Sequence, residues 1–527
     1  MGSKNKSGQK SERQRPTPPK VGISVPIKAN HIELVLFVVS ILYIAFFVNL
    51  NYYYDWDTME RSISIKEGGV GSQGDIIHFL VRLLPGLFAP LGIDPLTAYK
   101  VLTALCLLVL ILGTFRFAYM ETNDRWLAIL MGLFILFNFG FTFLLTILED
   151  NIWMYAFVIL FIIFLFRDRW ELAALSLSIG ILVHTQVLVY VLMFLSYVLL
   201  KLDFINFIKN PHIFLEKNRA QFSQILRKFT IALIFLLVPL IAAYSWLVFA
   251  KGFTMQRLID GFLASNFHND PRFWYFATDR SILEQMQLAY YGFVSTFVCR
   301  WPEFLQDMPS AVYFGVIFLI LLAYALILGF SPNLKTLCAI PTFLILFVHN
   351  LFYESYSIER WDYLPFFIMF FVVVGYTEKR ETIKDRLRKL FLIIVIISAI
   401  FTFASFNAIT SFHASSVNIY ADELSRILDN NSIVLETLRS DSERTLYVIY
   451  VNYGKVIFYK PGMDLKDIFA AKDVYASIAS FNTLKEIIPL NSEPIWYNKY
   501  NNRFSIVKLT TTGLWYLPGH SRFFIPQ

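Results

Sequence analysis

Runs of about 20 apolar residues, repeated along most of the chain, constrain this sequence more than any other feature, because a helix of that length crosses a hydrocarbon core. The first run is Glu33 to Leu50. Others are Ala98–Phe117, Trp126–Ile147, Ile152–Phe166, Phe229–Phe249, Ala311–Phe330, Leu337–Tyr353, Tyr363–Tyr376 and Leu390–Phe406. The first run reads as a retained span, since it is long and no small-residue cleavage site follows it. Glu171 to Leu200 is interrupted by His184-Thr185-Gln186, so it is either one long tilted helix or two short ones meeting at a polar break. Composition agrees: of 527 residues, 56% are hydrophobic and 16% charged, against about 25% charged in soluble domains. A soluble enzyme is excluded. So is a disordered chain, because aromatic residues reach 17%. Cys106, Cys299 and Cys338 are too few for a disulfide framework and too scattered for a zinc motif.

The formal charge of +7 reports orientation in such a chain, and no nucleic-acid partner is expected. Three loops are basic: Arg167/Arg169, Lys201 to Lys228, and Lys379 to Lys389. All three belong on the cytoplasmic side, and only a hairpin over 171–200 puts the first two on the same side. The expected fold class is therefore an all-α polytopic membrane protein of about eleven transmembrane helices, N-terminus inside, with a small C-terminal α/β domain outside. Residues 1–30 read as a disordered basic tail. Residues 31–408 form the transmembrane domain, with outer loops 51–96 and 250–310. Residues 409–527 form the extracytoplasmic domain, with strand-like alternation at Thr445–Val451 and Lys455–Tyr459.

The first outer loop begins Asn51-Tyr-Tyr-Tyr-Asp55-Trp-Asp57, an aromatic belt with two acids two residues apart. Carboxylates there could take a proton from an acceptor hydroxyl or share a divalent cation. Asp75 is a candidate N-cap for a helix over Ile76 to Leu87. That helix puts Ile76, Phe79, Leu80, Leu83 and Leu87 on one face and His78 with Arg82 on another, the pattern of an amphipathic helix lying along the membrane surface. Glu149-Asp150-Asn151 is a polar turn between two very apolar spans. His184 sits at a depth where a polar group needs a cavity or a partner. The second outer loop carries Arg272 among aromatics, and arginine there suits a phosphate. Glu359-Arg360-Trp361-Asp362-Tyr363-Leu364-Pro365 opens a late span, where Arg360 either snorkels as an anchor or aims a fixed charge at a site.

In layout the chain resembles the GT-C superfamily of polytopic glycosyltransferases, including the protein mannosyltransferase and aminoarabinose transferase families. The resemblance covers residues 33–408. It rests on an acid after the first span (Asp55/Asp57), a short surface helix (Ile76–Leu87), an acidic second turn (Glu149/Asp150), the stretch Leu172–His184, and the Arg360-Trp361-x-x-Leu364-Pro365 motif, which has Trp where the family often has Tyr. It implies inverting sugar transfer from a polyprenyl-phosphate-linked donor to a glycan, lipid or protein acceptor, with Asp55 or Asp57 as base. His78, Arg82, Arg272 and Arg360 would serve the donor phosphate. Glu149, Asp150, His184 and Glu359 would be supporting groups. The resemblance leaves room for a divalent cation, Mg²⁺ or Mn²⁺, on Asp55, Asp57 and Glu149. A lipid or sugar transporter would instead show charges near mid-bilayer and two related halves, and neither is evident. A polymerase or ligase fed by a lipid-linked glycan would rest on an Arg/His set rather than a carboxylate. A non-catalytic scaffold would tolerate loss of the outer acids.

Overall fold

The computed structural model describes residues 31–48, 78–93, 95–147, 149–203, 211–260, 275–299, 310–353, 355, 357–409, 426 and 428, and the C-terminal strands between 432 and 524. In chain order the helices used below are α1 (His31–Val48), α2 (Phe79–Gly86), α3 (Pro95–Thr122), α4 (Arg125–Leu136), α5 (Phe139–Thr146), α6 (Asn151–Phe166), α7 (Trp170–Val183) and α8 (Tyr190–Lys201). They continue as α9 (Pro211–Lys251), α10 (Ile282–Phe297), α11 (Ser310–Gly329), α12 (Leu334–Phe352), α13 (Ile358–Trp361), α14 (Tyr363–Tyr376) and α15 (Glu381–Ile409).

Among the described residues, four helices are long and apolar enough to cross a membrane: those over Thr97–Thr122, Phe222–Lys251, Leu334–Phe352 and Glu381–Phe406. A fifth candidate is the pair α4–α5, bent by 46°. The run Trp126–Ile147 is thus a broken span rather than the straight one its apolarity suggests. The break has a local cause: Asn138 turns extended and its side chain accepts the Phe141 N–H at 3.2 Å, capping a new helix. Shorter apolar helices include Asn151–Phe166, Trp170–Val183 and Thr185–Lys201. Leu42, Ile241, Ile320 and Ile400 are exposed on the outer helix faces, as lipid contact demands. The interior is packed with rings, including Phe117 stacked on Phe370 at 5.7 Å. The chain is a multi-pass integral membrane protein.

Residues 170–201 form the hairpin. The helix stops at His184, whose backbone is extended (φ −152°, ψ 123°). The chain then turns through a 3₁₀ segment, Thr185–Val189, into α8. Lys201 at the end of α8 returns to Asp168 at the start of α7 (3.4 Å), and the Tyr197 hydroxyl donates to the same carboxylate at 3.1 Å. Arg167, Arg169 and Lys201 therefore share one end of the helical body. Ion pairs and hydrogen bonds join other helix ends there: Lys335 with Glu121, Arg388 with Asp124 at 3.7 Å, and Tyr376 with Asp124. The tight turns at this end use Asn123 (φ 52°) and Asp168 (φ 56°), residue types that tolerate the left-handed region. The described parts of the three basic segments thus converge where α3, α6, α8 and α14 finish and α12 and α15 begin, and residues 211–228, expected as part of a loop, belong to α9. The opposite end gathers the starts of α6 and α14 and the ends of α7 and α12.

Beyond α15, strands β1 (Ser432–Glu436), β2 (Val456–Phe458), β3 (Asp473–Ser477), β4 (Leu490–Tyr497) and β5 (Ser505–Thr511) form a mixed sheet in the order β2-β1-β3-β5-β4. β1 pairs in parallel with β2 and β3, and β5 pairs antiparallel with β3 and β4. β6 (Trp515–Tyr516) and β7 (Phe523–Phe524) pair antiparallel. The alternation at Lys455–Tyr459 corresponds to β2. Thr445–Val451 lies outside the described residues.

Helices α11 and α14 approach through glycine. A Cβ on Gly375 would collide with the Gly329 carbonyl. Because that obstacle is backbone, Gly375→Ala must push the helices apart, at about 1–3 kcal/mol. The expected result is a lower unfolding temperature for the detergent-solubilised variant in a fluorescence-detected thermal assay. Gly86→Ala, which meets nothing within 4 Å, leaves that temperature close to wild type.

Candidate active site

The site lies at the end opposite the basic loops. Its first part comes from α2. The helix starts at Phe79, with His78 as its N-cap residue. Phe79 packs on Trp246 and Leu182 in a small apolar cluster with Ala243 and Leu247. The short helix expected here packs into the protein on both faces: Arg82 is 7% exposed and Phe79, on the apolar face, 5%, whereas Leu87 beyond its end is 59% exposed. Packing against α3 and α7 covers Arg82 together with Phe79.

The second part is the 149–151 turn. It is no solvated connection: Glu149, Asp150 and Asn151 are all buried. The His78 Nδ1 meets the Asp150 carboxylate, and the His78 and His184 rings cross edge-to-face at 5.1 Å. One nitrogen or oxygen from each of His78, Asp150 and His184 lies within 4.8 Å of the others. His184 is held by its own turn, with Nδ1 accepting the Gln186 N–H at 3.1 Å.

The third part is the α12–α14 connection. Two asparagines hold it. Asn350 donates through Nδ2 to the Arg360 carbonyl at 2.5 Å. Asn151 donates to the Asp362 carboxyl at 2.7 Å and to the Glu359 carbonyl at 3.4 Å. The Tyr155 hydroxyl donates to the other Asp362 oxygen at 2.7 Å. Asp362 is 1% exposed, so these donors replace the water that a carboxyl needs. The Arg360 guanidinium sits 4.9 Å above the Tyr353 ring, a cation–π contact. Below it, Gln285 of α10 donates to the Leu351 carbonyl (2.6 Å) and to the Ser355 hydroxyl (2.9 Å), and Trp361 donates to the Ser355 carbonyl at 2.6 Å.

Of the residues singled out from the sequence, the structure brings together His78, Asp150 and His184 directly. It ties Glu359 to the same turn through Asn151, while the neighbouring Arg360 is held through its carbonyl by Asn350 of α12. Arg82 and Glu149 are buried beside members of that group in the chain. Asp55, Asp57 and Arg272 lie outside the described residues, so of the three acids expected to hold a cation only Glu149 is described. Asn151 and Asp362 stand inside the polar segments that the sequence marks but without a role of their own, and Tyr155 and Gln285 have no signal there. The sequence reading took 250–310 as a loop, whereas α10 occupies 282–297. A signal for α10 was present: Ser281-Ile-Leu-Glu284 is a capping box, with Glu284 Oε2 accepting the Ser281 N–H at 2.7 Å. Those bonds favour the Glu284 carboxylate and hold its pKa below the ordinary value.

The helical body with its polar end defines a class, a multi-pass membrane protein. Its fold is similar to that of ArnT from Cupriavidus metallidurans bound to undecaprenyl phosphate, with 10% identity and a TM-score of 0.57 over 91% of this chain and 98% of that one. The apo form of the same protein aligns with a TM-score of 0.41 and 13% identity over 90% of this chain and 97% of that one. No protein-family model and no curated protein sequence matches the chain.

Asn151 offers a direct test of the clasp. Asn151→Ala leaves the buried Asp362 carboxyl with one donor fewer, which costs about 1–3 kcal/mol. The expected outcome is a clear drop in unfolding temperature. Combining Asn151→Ala with Asp362→Ala should lose less than the sum of the two single changes, because the two residues share one interaction.

Proposed function

We propose that the protein is an integral-membrane glycosyltransferase that moves a sugar from a polyprenyl-phosphate-linked donor to an acceptor. The observation that carries this reading is the gathering of buried Arg82, Glu149 and Asp150 with partly buried His78, His184 and Arg360 at one end of a helical body whose fold is shared with ArnT. ArnT is bound to undecaprenyl phosphate in that structure. A lipid phosphate needs what this chain combines, apolar helix faces for the isoprenoid and guanidinium groups at their rim for the phosphate. The basic end is the cytoplasmic one in this reading. The chain then has eleven spans, some of them short, and residues 409–527 form a domain on the outer side with the site.

The chemistry follows from the groups. Asp55 or Asp57 takes the proton of the acceptor hydroxyl. The freed oxygen attacks the anomeric carbon from the face opposite the phosphate. The carbon–oxygen bond to phosphate breaks, and its electron pair leaves with the polyprenyl phosphate. Arg82, Arg272 and Arg360 neutralise the leaving anion, aided by His78. Asp150, His184 and Glu359 hold those groups in place. A divalent cation on Asp55, Asp57 and Glu149 would supply further charge neutralisation at the phosphate.

The test is transfer of labelled sugar from polyprenyl-phosphate donors by the purified protein in proteoliposomes. Asp55→Asn or Asp57→Asn should lower turnover by about 100-fold or more while the elution profile stays that of folded protein. Arg360→Ala should mainly raise the KM for the donor. If both aspartate variants and their double variant turn over at the wild-type rate, the base assignment is wrong. If wild type transfers no sugar from any lipid-linked donor, the glycosyltransferase reading is wrong.

A further inference from the structure

We propose that His78, Asp150 and His184 form a binding site for one dication of the zinc class, distinct from the oxygen-only Mg²⁺ or Mn²⁺ site expected on Asp55, Asp57 and Glu149. The inference rests on geometry and ligand chemistry and is independent of the transfer activity proposed above. The three residues are far apart in sequence, yet one donor atom from each falls within 4.8 Å of the others. Ligand atoms around a tetrahedral zinc stand roughly 3.3 Å apart. Side-chain rotations of about an ångström close the set, parting His78 Nδ1 from the Asp150 carboxylate that it now touches. Each residue stands at a helix end: His78 before α2, Asp150 before α6, His184 after α7. The backbone that carries each ligand is therefore anchored by a packed helix, which preorganises the group.

The donor set selects the ion. Two imidazole nitrogens and one carboxylate suit Zn²⁺, Co²⁺ or Ni²⁺, while Mg²⁺ and Ca²⁺ want oxygen. Burial reinforces the choice. Asp150 is 1% exposed and the His78 side chain 14%, so a cation here would be largely stripped of water, which Mg²⁺ resists. The Gln186 N–H engages His184 Nδ1, so the cation would be taken at Nε2. Binding at Nε2 sends that ring proton to Nδ1 and opens the Gln186 contact, so one neutral hydrogen bond is exchanged for a metal–nitrogen bond.

The experiment uses the full-length protein in detergent, stripped with chelator and titrated with Co²⁺, following the visible d–d absorption of the ion. Wild type should take up one equivalent, lose it to Zn²⁺, and keep it in excess Mg²⁺. His78→Ala and His184→Ala should bind at least about tenfold more weakly. His349→Ala, a histidine paired elsewhere with Asn350, should bind as wild type does. Where an alanine variant does not fold, His184→Cys decides. It should retain the ion and add an intense thiolate-to-cobalt band that wild type lacks. The proposal is overturned if wild type takes up no more Co²⁺ than the His78→Ala/His184→Ala double variant. It is equally overturned if Mg²⁺ displaces the ion at comparable concentration, or if folded His184→Cys shows no thiolate band.

Discussion

Every part of the site depends on one constraint: polar groups buried in a body made of apolar helices must find partners within the protein. Asp362 makes the point. Its carboxyl lies at the start of α14, sealed from water, and is received by Asn151 and Tyr155 of α6. That pair of contacts joins two segments more than two hundred residues apart. It also sets the path of the backbone that carries Glu359 and Arg360. Without such donors, burial would cost several kcal/mol and the connection would have to lie at the surface. The acidic turn and the late motif are therefore one structure, held together by desolvated hydrogen bonds.

The two ends of the helical body solve different problems. At the basic end, loops are short, left-handed turns fall on Asn and Asp, and partly exposed ion pairs link neighbouring helices. Such pairs contribute little stability individually, but they leave a surplus of cations at one rim. At the other end several polar residues are buried, the helices are broken by polar turns, and two histidines meet around a carboxylate. Irregular backbone is tolerated at membrane depth only where it lines protein or a wet cavity. The break at His184 is of that kind, since its ring supports the following turn through Gln186 and meets His78 on its other side.

Likeness to ArnT at 10% identity means that the shared feature is architecture, not a conserved list of side chains. Lipid-facing positions need only be apolar and helical, so identity at them drifts freely while topology persists. What distinguishes one such protein from another is the polar end. In this chain that end holds a histidine pair beside a buried aspartate and an asparagine clasp around Arg360.

Some of this was determined by the sequence alone. Hydropathy located the helices, because the bilayer dictates their length and polarity. Charge placed the three basic loops on one side, and the polar break at His184 marked the hairpin that brings Lys201 back to Asp168. His78, Asp150, His184 and Arg360 could be singled out because charges and imidazoles are rare in such apolar surroundings. Only the tertiary structure decided which way those side chains point. The turn at 149–151 is polar in one dimension and buried in three, and Arg82 of α2 is covered by protein although the periodicity suits a surface helix. Tyr155 and Gln285 carry no local signal, because a neutral amide or phenol matters only through the partner it meets. Those partners are fixed by packing between segments far apart in the chain, which no spacing along the sequence records.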